Sequence, residues 1–202
     1  MKNEELEKVL AVAEQWTKEP FDVETRTAVQ AMIDAEDKTE LIDSFYRTLE
    51  FGTGGLRAVM GPEDDQMNVF AIQEATLGVA AYGKAVEKMP RVAIAYDTRN
   101  NSECFAKETA RVLALEGCKA FIYPTAMPTP MLSYAVRELQ CMMGVCLTAS
   151  HNPREYNGYK VYGVDGCQIT NEAAKGIAQQ IAAADRTKLE GARSFEELVQ
   201  EG

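Results

Sequence analysis

The chain has 202 residues, of which 46% are hydrophobic and 26% charged, and its formal net charge is -10. This length fits one ordinary domain with an appendage, and the apolar share is enough for a sizeable core. The negative charge argues against nucleic acid and anionic membrane as partners, because both attract basic surfaces. No apolar run approaches the length of a membrane span, and the charged N-terminus does not resemble a secretion signal.

The five cysteines predict reduced thiols in a cytoplasmic protein. Their number is odd, and no pair has the C-x-x-C spacing of a zinc or redox site. The chain also has a single histidine. We therefore do not expect a metal held by cysteine and histidine alone.

Residues 1–50 are predicted to form a helical leader that packs on the main domain. Apolar residues recur at helical spacing in three segments, at 4–16, 23–33 and 38–49. No catalytic residues cluster there, so the leader is interpreted as structural.

Residues 51–185 are predicted to form the main domain, because helical and strand patterns alternate along them. Strands are expected near 56–60 and at 91–96, 119–123, 142–147 and 159–162, and helices at 69–89, 102–117, 129–140 and 171–184. Ser102 and Thr129 occupy the expected N-cap positions of two of these helices. The alternation predicts an α/β fold, a three-layer α/β/α domain with a mixed, mostly parallel sheet. Residues 186–202, with a short helix at 195–200, are expected to begin a linker to further domains.

The most informative segment is the polar turn at 148–153, which follows the apolar strand at 142–147. It places Ser150 beside His151 at the carboxyl end of a strand, where open α/β sheets bind ligands. A serine hydrolase is disfavoured, because the nucleophile elbow is absent and adjacent side chains are expected to point apart. A serine that carries a phosphoryl group needs only exposure and nearby cations. A plain polar turn is the alternative, since Ser, Asn and Pro all favour turns.

Two cations and a glycine-rich loop extend this candidate site. Arg154 follows the turn directly, and Lys160 lies on the next strand, where partial desolvation would lower its pKa and suit it to proton exchange. A solvated strand lysine is the alternative. The loop at 52–57 has three glycines that let its backbone approach an anion, and it ends in Arg57, although it also fits a flexible joint. The turn containing Arg99 is given a supporting role only.

Taken together, four segments resemble the α-D-phosphohexomutase superfamily, the phosphoglucomutases and phosphomannomutases. They are GTGGLR at 52–57, YDTR at 96–99, TASHNP at 148–153 and NGYK at 157–160. The leader and the glycine loop are most similar to the phosphoglucomutase/phosphopentomutase branch. Ala58 stands where a glycine often follows the arginine, a small departure.

The resemblance implies a role for each matching residue. Ser150 would be the phosphorylated serine, which donates its phosphoryl group to a hexose or pentose phosphate and regains one from the bisphosphate intermediate. Lys160 would be the general acid/base, and Arg57 and His151 the cations near the transferring group. Supporting substrate or loop residues would be Thr53, Gly54, Gly55, Asn152, Arg154 and Arg99. Mg²⁺ would contact the phosphate on Ser150, and glucose 1,6-bisphosphate would act as activator.

The resemblance also implies that further domains of the same polypeptide complete the enzyme. The aspartate-rich metal loop and the sugar-selecting loop of such enzymes do not occur in this sequence. We therefore expect the chain to be domain one, with little or no mutase turnover on its own. The alternative function is a free-standing module that binds sugar phosphates or other anions without chemistry.

Overall fold

The computed structural model describes residues 3–18, 23–45, 49–61 and 65–201. The described residues form eight α-helices and five β-strands. The helices are α1 (Asn3–Trp16), α2 (Val23–Asp34), α3 (Thr39–Phe45), α4 (Val69–Lys84), α5 (Ser102–Leu115), α6 (Thr129–Glu138), α7 (Asn171–Ala182) and α8 (Phe195–Glu201). The strands are β1 (Leu56–Val59), β2 (Arg91–Tyr96), β3 (Lys119–Ile122), β4 (Met143–Leu147) and β5 (Tyr156–Tyr162).

The five strands form one mixed sheet in the order β1-β5-β4-β2-β3. Strands β4, β2 and β3 pair in parallel, whereas β5 runs antiparallel to both β4 and β1. Four strands therefore share one direction, which confirms the predicted mixed, mostly parallel sheet. The carboxyl ends of β2 and β4 are adjacent, with Tyr96 paired to Leu147, and the loops that follow them meet at this edge.

Helices cover both faces of the sheet and produce the three predicted layers. On one face α4, α5 and α7 pack on the larger core, which includes Ile94, Val145, Leu147 and Tyr159. On the other face α6 packs on Ala95, Cys146 and Tyr162. All five residues of β4 are buried, as expected of a strand covered on both sides.

The leader and the tail both pack against α4. Helices α1 to α3 share a small core, and Trp16 from it makes an edge-to-face contact with Phe70 of α4, with ring centroids 5.6 Å apart. A short 3₁₀-helix at Arg186–Leu189 follows α7, and its Leu189 is buried against Leu77 and Val112. Helix α8 packs on α5.

Several predicted boundaries differ from the structure. Helix α4 ends at Lys84 rather than at residue 89, because Val86 and Met89 lie in solvent and give a further turn no core to pack on. Strand β5 begins three residues earlier than predicted, because β1 pairs with its first half. Residues 46–48 of the third predicted helix lie outside the described residues.

The two predicted N-cap assignments were wrong. The N-cap of α5 is Asn101, in the left-handed region at φ 62°, and Ser102 is buried with its hydroxyl donating to Asp97. The N-cap of α6 is Pro128, so Thr129 is the first helical residue, and its Oγ1 lies 3.8 Å from Cys146 Sγ. In each case a tertiary partner engages the hydroxyl that local sequence assigned to the helix end.

Candidate active site

Ser150 lies exposed in the loop that follows β4, at the carboxyl edge of the sheet. Its backbone is in the left-handed region at φ 60°, which few residues other than glycine adopt. Its N–H donates to Thr148 Oγ1 at 2.9 Å, and the Asn152 N–H donates to the Ala149 carbonyl at 3.1 Å. These bonds hold a tight turn that leaves the serine hydroxyl in solvent.

His151 is closer to the serine hydroxyl than the sequence predicted. The two side chains were expected to point apart, as adjacent residues do in extended backbone. Ser150 Oγ instead lies 3.5 Å from His151 Nδ1, because the left-handed backbone at Ser150 turns the two side chains toward each other. That separation is at the outer limit of a hydrogen bond.

The glycine loop closes as a tight turn before β1. Gly52 and Gly55 exchange backbone hydrogen bonds, with Gly55 N to Gly52 O at 2.8 Å and Gly52 N to Gly55 O at 3.3 Å. Thr53 and Gly54, at the tip, are exposed. Gly55 has φ 75°, and a Cβ added there would lie 1.8 Å from the Tyr159 carbonyl oxygen. Gly55 therefore lets the loop lie directly on β5, one residue before Lys160.

Replacing Gly55 by Ala is expected to destabilise the fold by about 2–4 kcal/mol, through the strained φ and the clash with β5. Gly54→Ala is the matched control, because no atom lies within 4 Å of a Cβ at that position, and it should change the free energy of unfolding by less than about 0.5 kcal/mol. Urea unfolding of both variants measures the difference. Equal stability of the two would contradict the close approach of the loop to β5.

Arg57 links the glycine loop to the serine loop. Its Nη1 donates to Asn152 Oδ1 at 3.0 Å, and its side chain is exposed. It lies opposite Gly158 in the antiparallel pair of β1 and β5. Since a guanidinium has five N–H donors and Asn152 takes one, Arg57 retains donors for an anion.

Lys160 projects from β5 on the same face as Arg57, because Arg57 pairs with Gly158 and side chains two residues apart on a strand share a face. Lys160 is half-buried. Desolvation, and then the positive charge of Arg57, lower the pKa of Lys160 below the ordinary lysine value, while Cys146 and Asp97 oppose that shift. A lysine with a lowered pKa is better suited to exchange protons with a sugar hydroxyl near neutral pH.

A cluster of hydrogen-bonded polar side chains connects the loop after β2 to the start of β5, and the sequence did not predict these bonds. Asp97 accepts hydrogen bonds from Ser102 Oγ at 2.8 Å and from the Arg99 N–H at 3.0 Å. The buried Asn157 side chain donates to Ser102 Oγ and to the Asn100 carbonyl, both at 3.0 Å. The Arg99 guanidinium extends from this cluster into the serine loop. Its two terminal nitrogens donate to backbone carbonyls 51 to 57 residues away, and such contacts have no local sequence signature.

The candidate site therefore brings Ser150, His151, Arg57 and Asn152 together, with Lys160 on the same sheet face as Arg57. Arg154 is exposed on the serine loop. In a chain of net charge -10, cationic side chains on the serine loop and on the strands beside it favour an anionic ligand at this edge.

Comparison with known proteins decides the family. Residues 48–188 match the family described as phosphoglucomutase/phosphomannomutase, alpha/beta/alpha domain I. The chain belongs to this family. The match confirms the resemblance that the four sequence segments indicated, and it includes every candidate site residue.

Similar proteins include phosphoglucomutases of staphylococci. The chain is 39% identical to that of Staphylococcus haemolyticus over 153 residues, 76% of this chain and 28% of that protein. It is 39% identical to that of Staphylococcus epidermidis over 161 residues, 80% of this chain and 30% of that protein. The chain thus spans less than a third of the length of these phosphoglucomutases, and it corresponds to domain I of this isomerase family.

Solved structures share the fold. A candidate phosphomannomutase from Thermus thermophilus superposes with a TM-score of 0.63 and 31% identity, over 67% of this chain and 30% of that one. The open form of a Paramecium phosphoglucomutase, pp63/parafusin, superposes with a TM-score of 0.55 at 18% identity, over 67% of this chain and 26% of that one. The second likeness shows the domain I fold alone.

Among the helices of the described residues, none combines the length and the apolar character needed to span a bilayer.

Proposed function

We propose that this chain is the phosphoryl-carrying domain of a sugar-phosphate mutase and that Ser150 is the residue that carries the phosphoryl group. The observation that supports this most strongly is the exposure of Ser150 at the sheet edge, in a turn where its backbone is left-handed. Arg57, which follows the glycine loop, donates a hydrogen bond to Asn152 in the same turn. The similarity to phosphoglucomutases supports a hexose monophosphate as the substrate class.

The proposed reaction consists of two transfers with opposite direction. A hydroxyl of the sugar monophosphate attacks the phosphorus on Ser150, the P–O bond to Ser150 Oγ breaks, and a bisphosphate forms. The other phosphate of that bisphosphate is then attacked by Ser150 Oγ, its bond to the sugar oxygen breaks, and the isomeric monophosphate is released. Glucose 1,6-bisphosphate would load the serine by the second transfer alone.

Lys160 would move the proton in each transfer. It would accept the proton of the attacking sugar hydroxyl in the first transfer and return it to the leaving sugar oxygen in the second. Ser150 Oγ, which is exposed to solvent, would take up a proton from water as its bond to phosphorus breaks and release one to water as it attacks. Desolvation and the positive charge of Arg57 lower the pKa of the Lys160 ammonium, which makes proton release easier than for an ordinary lysine. Arg57 and His151 would stabilise the charge on the transferring group, the first through its planar fork of donors.

Magnesium enters the proposal only through the phosphate on Ser150. Among the described residues there is no group of three or more His, Cys, Asp or Glu side chains placed to hold a metal ion. Asp97 is engaged by Arg99 and Ser102. The described residues therefore do not fit a complete magnesium site, and no step above depends on one. The remaining ligands would come from a second domain.

The layout of the polypeptide is also a proposal. Residues 1–50 would be a leader on the phosphoserine domain at 51–185, and 186–202 would begin the connection to further domains. Those domains would select the sugar and complete the enzyme, and the chain alone would show little or no mutase turnover.

Intact-mass analysis after incubation with glucose 1,6-bisphosphate tests the proposal. The wild-type chain should gain one phosphate, Ser150→Ala should gain none, and Ser194→Ala should behave as wild type because it removes an exposed serine outside the site. Reversible binding of the bisphosphate without any mass change would contradict phosphoryl transfer and favour a sugar-phosphate binding module.

A further inference from the structure

The Arg99 guanidinium is bound by four backbone carbonyls of the serine loop. Nη2 donates to Ser150 O at 2.9 Å and to Asn152 O at 2.5 Å. Nη1 donates to Pro153 O at 2.7 Å and to Tyr156 O at 3.1 Å. Each Nη carries two hydrogens, so these carbonyls occupy all four terminal donors of the side chain.

The fifth donor of Arg99 faces a carboxylate. Nε lies 3.3 Å from Asp97 Oδ2, and the Arg99 side chain is 14% exposed. The other Asp97 oxygen is held by Ser102 Oγ and by the Arg99 N–H. Asp97 therefore fixes the plane of the guanidinium. Arg99 is therefore left without a donor for a ligand. Arg57 differs, because it uses a single donor, in its bond to the Asn152 side chain.

These carbonyl contacts also orient the N–H groups of the loop. In a trans peptide the C=O of one residue and the N–H of the next point in opposite directions. With the carbonyls of Ser150 and Pro153 turned toward Arg99, the N–H groups of His151 and Arg154 point away from the guanidinium. Two backbone donors of the serine loop are thus directed away from Arg99.

We propose that Arg99 is a positioning residue: it binds no phosphate and instead holds the loop 148–156 so that Ser150 keeps its left-handed, exposed conformation. This inference rests on the proposed function for its purpose, but the conformational part of it stands apart from phosphoryl transfer. Without the guanidinium, four carbonyl oxygens would converge with no donor between them, and the turn would open.

Amide hydrogen exchange of the whole chain tests the conformational part. In Arg99→Met the bonded amides of Asn152 and Tyr156 should exchange at least tenfold faster, while those of Val145 and Cys146 in β4 are unchanged. Arg99→Lys should give an intermediate effect of at least threefold, because an ammonium has three donors. Arg137→Lys, on the exposed face of α6, is the control. Unchanged exchange of the loop amides in either Arg99 variant would overturn the proposal. If Arg99→Met does not fold, the exchange rates of Arg99→Lys alone test it.

The rate of Ser150 phosphorylation by glucose 1,6-bisphosphate provides the second readout. In Arg99→Lys the maximal rate should fall at least tenfold, while the bisphosphate concentration at half-maximal rate changes less than threefold. A large rise in that concentration with an unchanged maximal rate would instead make Arg99 a ligand-binding residue. If the wild-type chain is never phosphorylated, the proposed function fails, and the exchange result still decides the role of Arg99 in the loop.

Discussion

In Lys160→Met, phosphorylation of Ser150 by glucose 1,6-bisphosphate should be about a hundredfold to a thousandfold slower, which lies within the range expected for loss of a general acid. The departing sugar oxygen needs a proton, and Lys160 lies on the same sheet face as Arg57, half-buried and with a lowered pKa. Methionine keeps the length of the aliphatic stem and removes the proton donor.

The same substitution should leave the folded chain at least as stable at neutral pH. A lysine whose pKa is lower in the folded state binds fewer protons there than in the unfolded state between the two pKa values. Its contribution to stability is therefore unfavourable at low pH and becomes less so as the pH rises through that window. Removing the ammonium removes this cost. If Lys160 instead stabilised the fold, its replacement would lower the free energy of unfolding measured in urea.

The pH dependence gives an independent check on Lys160. Since the protonated amine donates to the leaving oxygen, the wild-type rate should fall as the pH rises through the lowered pKa, below the ordinary value of about 10.4. Lys160→Met should lose that descending limb. Lys119→Met, an exposed lysine on β3, is the control and should keep both rate and profile. A Lys160→Met chain that is phosphorylated at the wild-type rate would remove Lys160 from the chemistry.

In Arg57→Ala the maximal rate of Ser150 phosphorylation should fall about a hundredfold, comparable to the loss of one preorganised donor to a developing charge. Arg57 is exposed and makes a single side-chain bond, to Asn152, across the two loops. Its removal should therefore change the free energy of unfolding by less than about 1 kcal/mol. Arg57→Lys should recover only part of the rate, because an ammonium lacks the planar fork.

Arg137→Ala, an exposed arginine on α6, is the control for this series. Rates from stopped samples analysed by mass, and unfolding free energies from urea titrations, should be compared for all three variants. A loss of stability in Arg57→Ala that accounts for the loss of rate would make Arg57 a structural residue.

The parts of the fold that could be predicted from the sequence are those set by periodic burial. Strand β2 was predicted with the bounds observed, because its residues after Arg91 are an unbroken buried run. The ends of elements were predicted less well where tertiary contacts decide them. Strand β5 is longer because β1 pairs with it, and α4 is shorter because its predicted last turn has no core.

The candidate site divides in the same way. The position of Ser150 at the sheet edge followed from the apolar strand before it. The left-handed conformation of Ser150 and its 3.5 Å separation from His151 did not, because an ordinary propensity argument assigns extended or turn backbone there. The contacts of Arg99 were missed for a different reason: its partners are carbonyl oxygens, which every residue has, so no side-chain pattern indicates them.

The measurement that tests the central proposal most directly is fragmentation mass spectrometry of the peptide containing residues 148–156 after incubation of the chain with glucose 1,6-bisphosphate. The expected result is a single phosphate on Ser150, with the neighbouring Thr148 unmodified. Phosphate on any other residue, or an unmodified peptide from a fully folded chain, would contradict the role proposed for the serine hydroxyl.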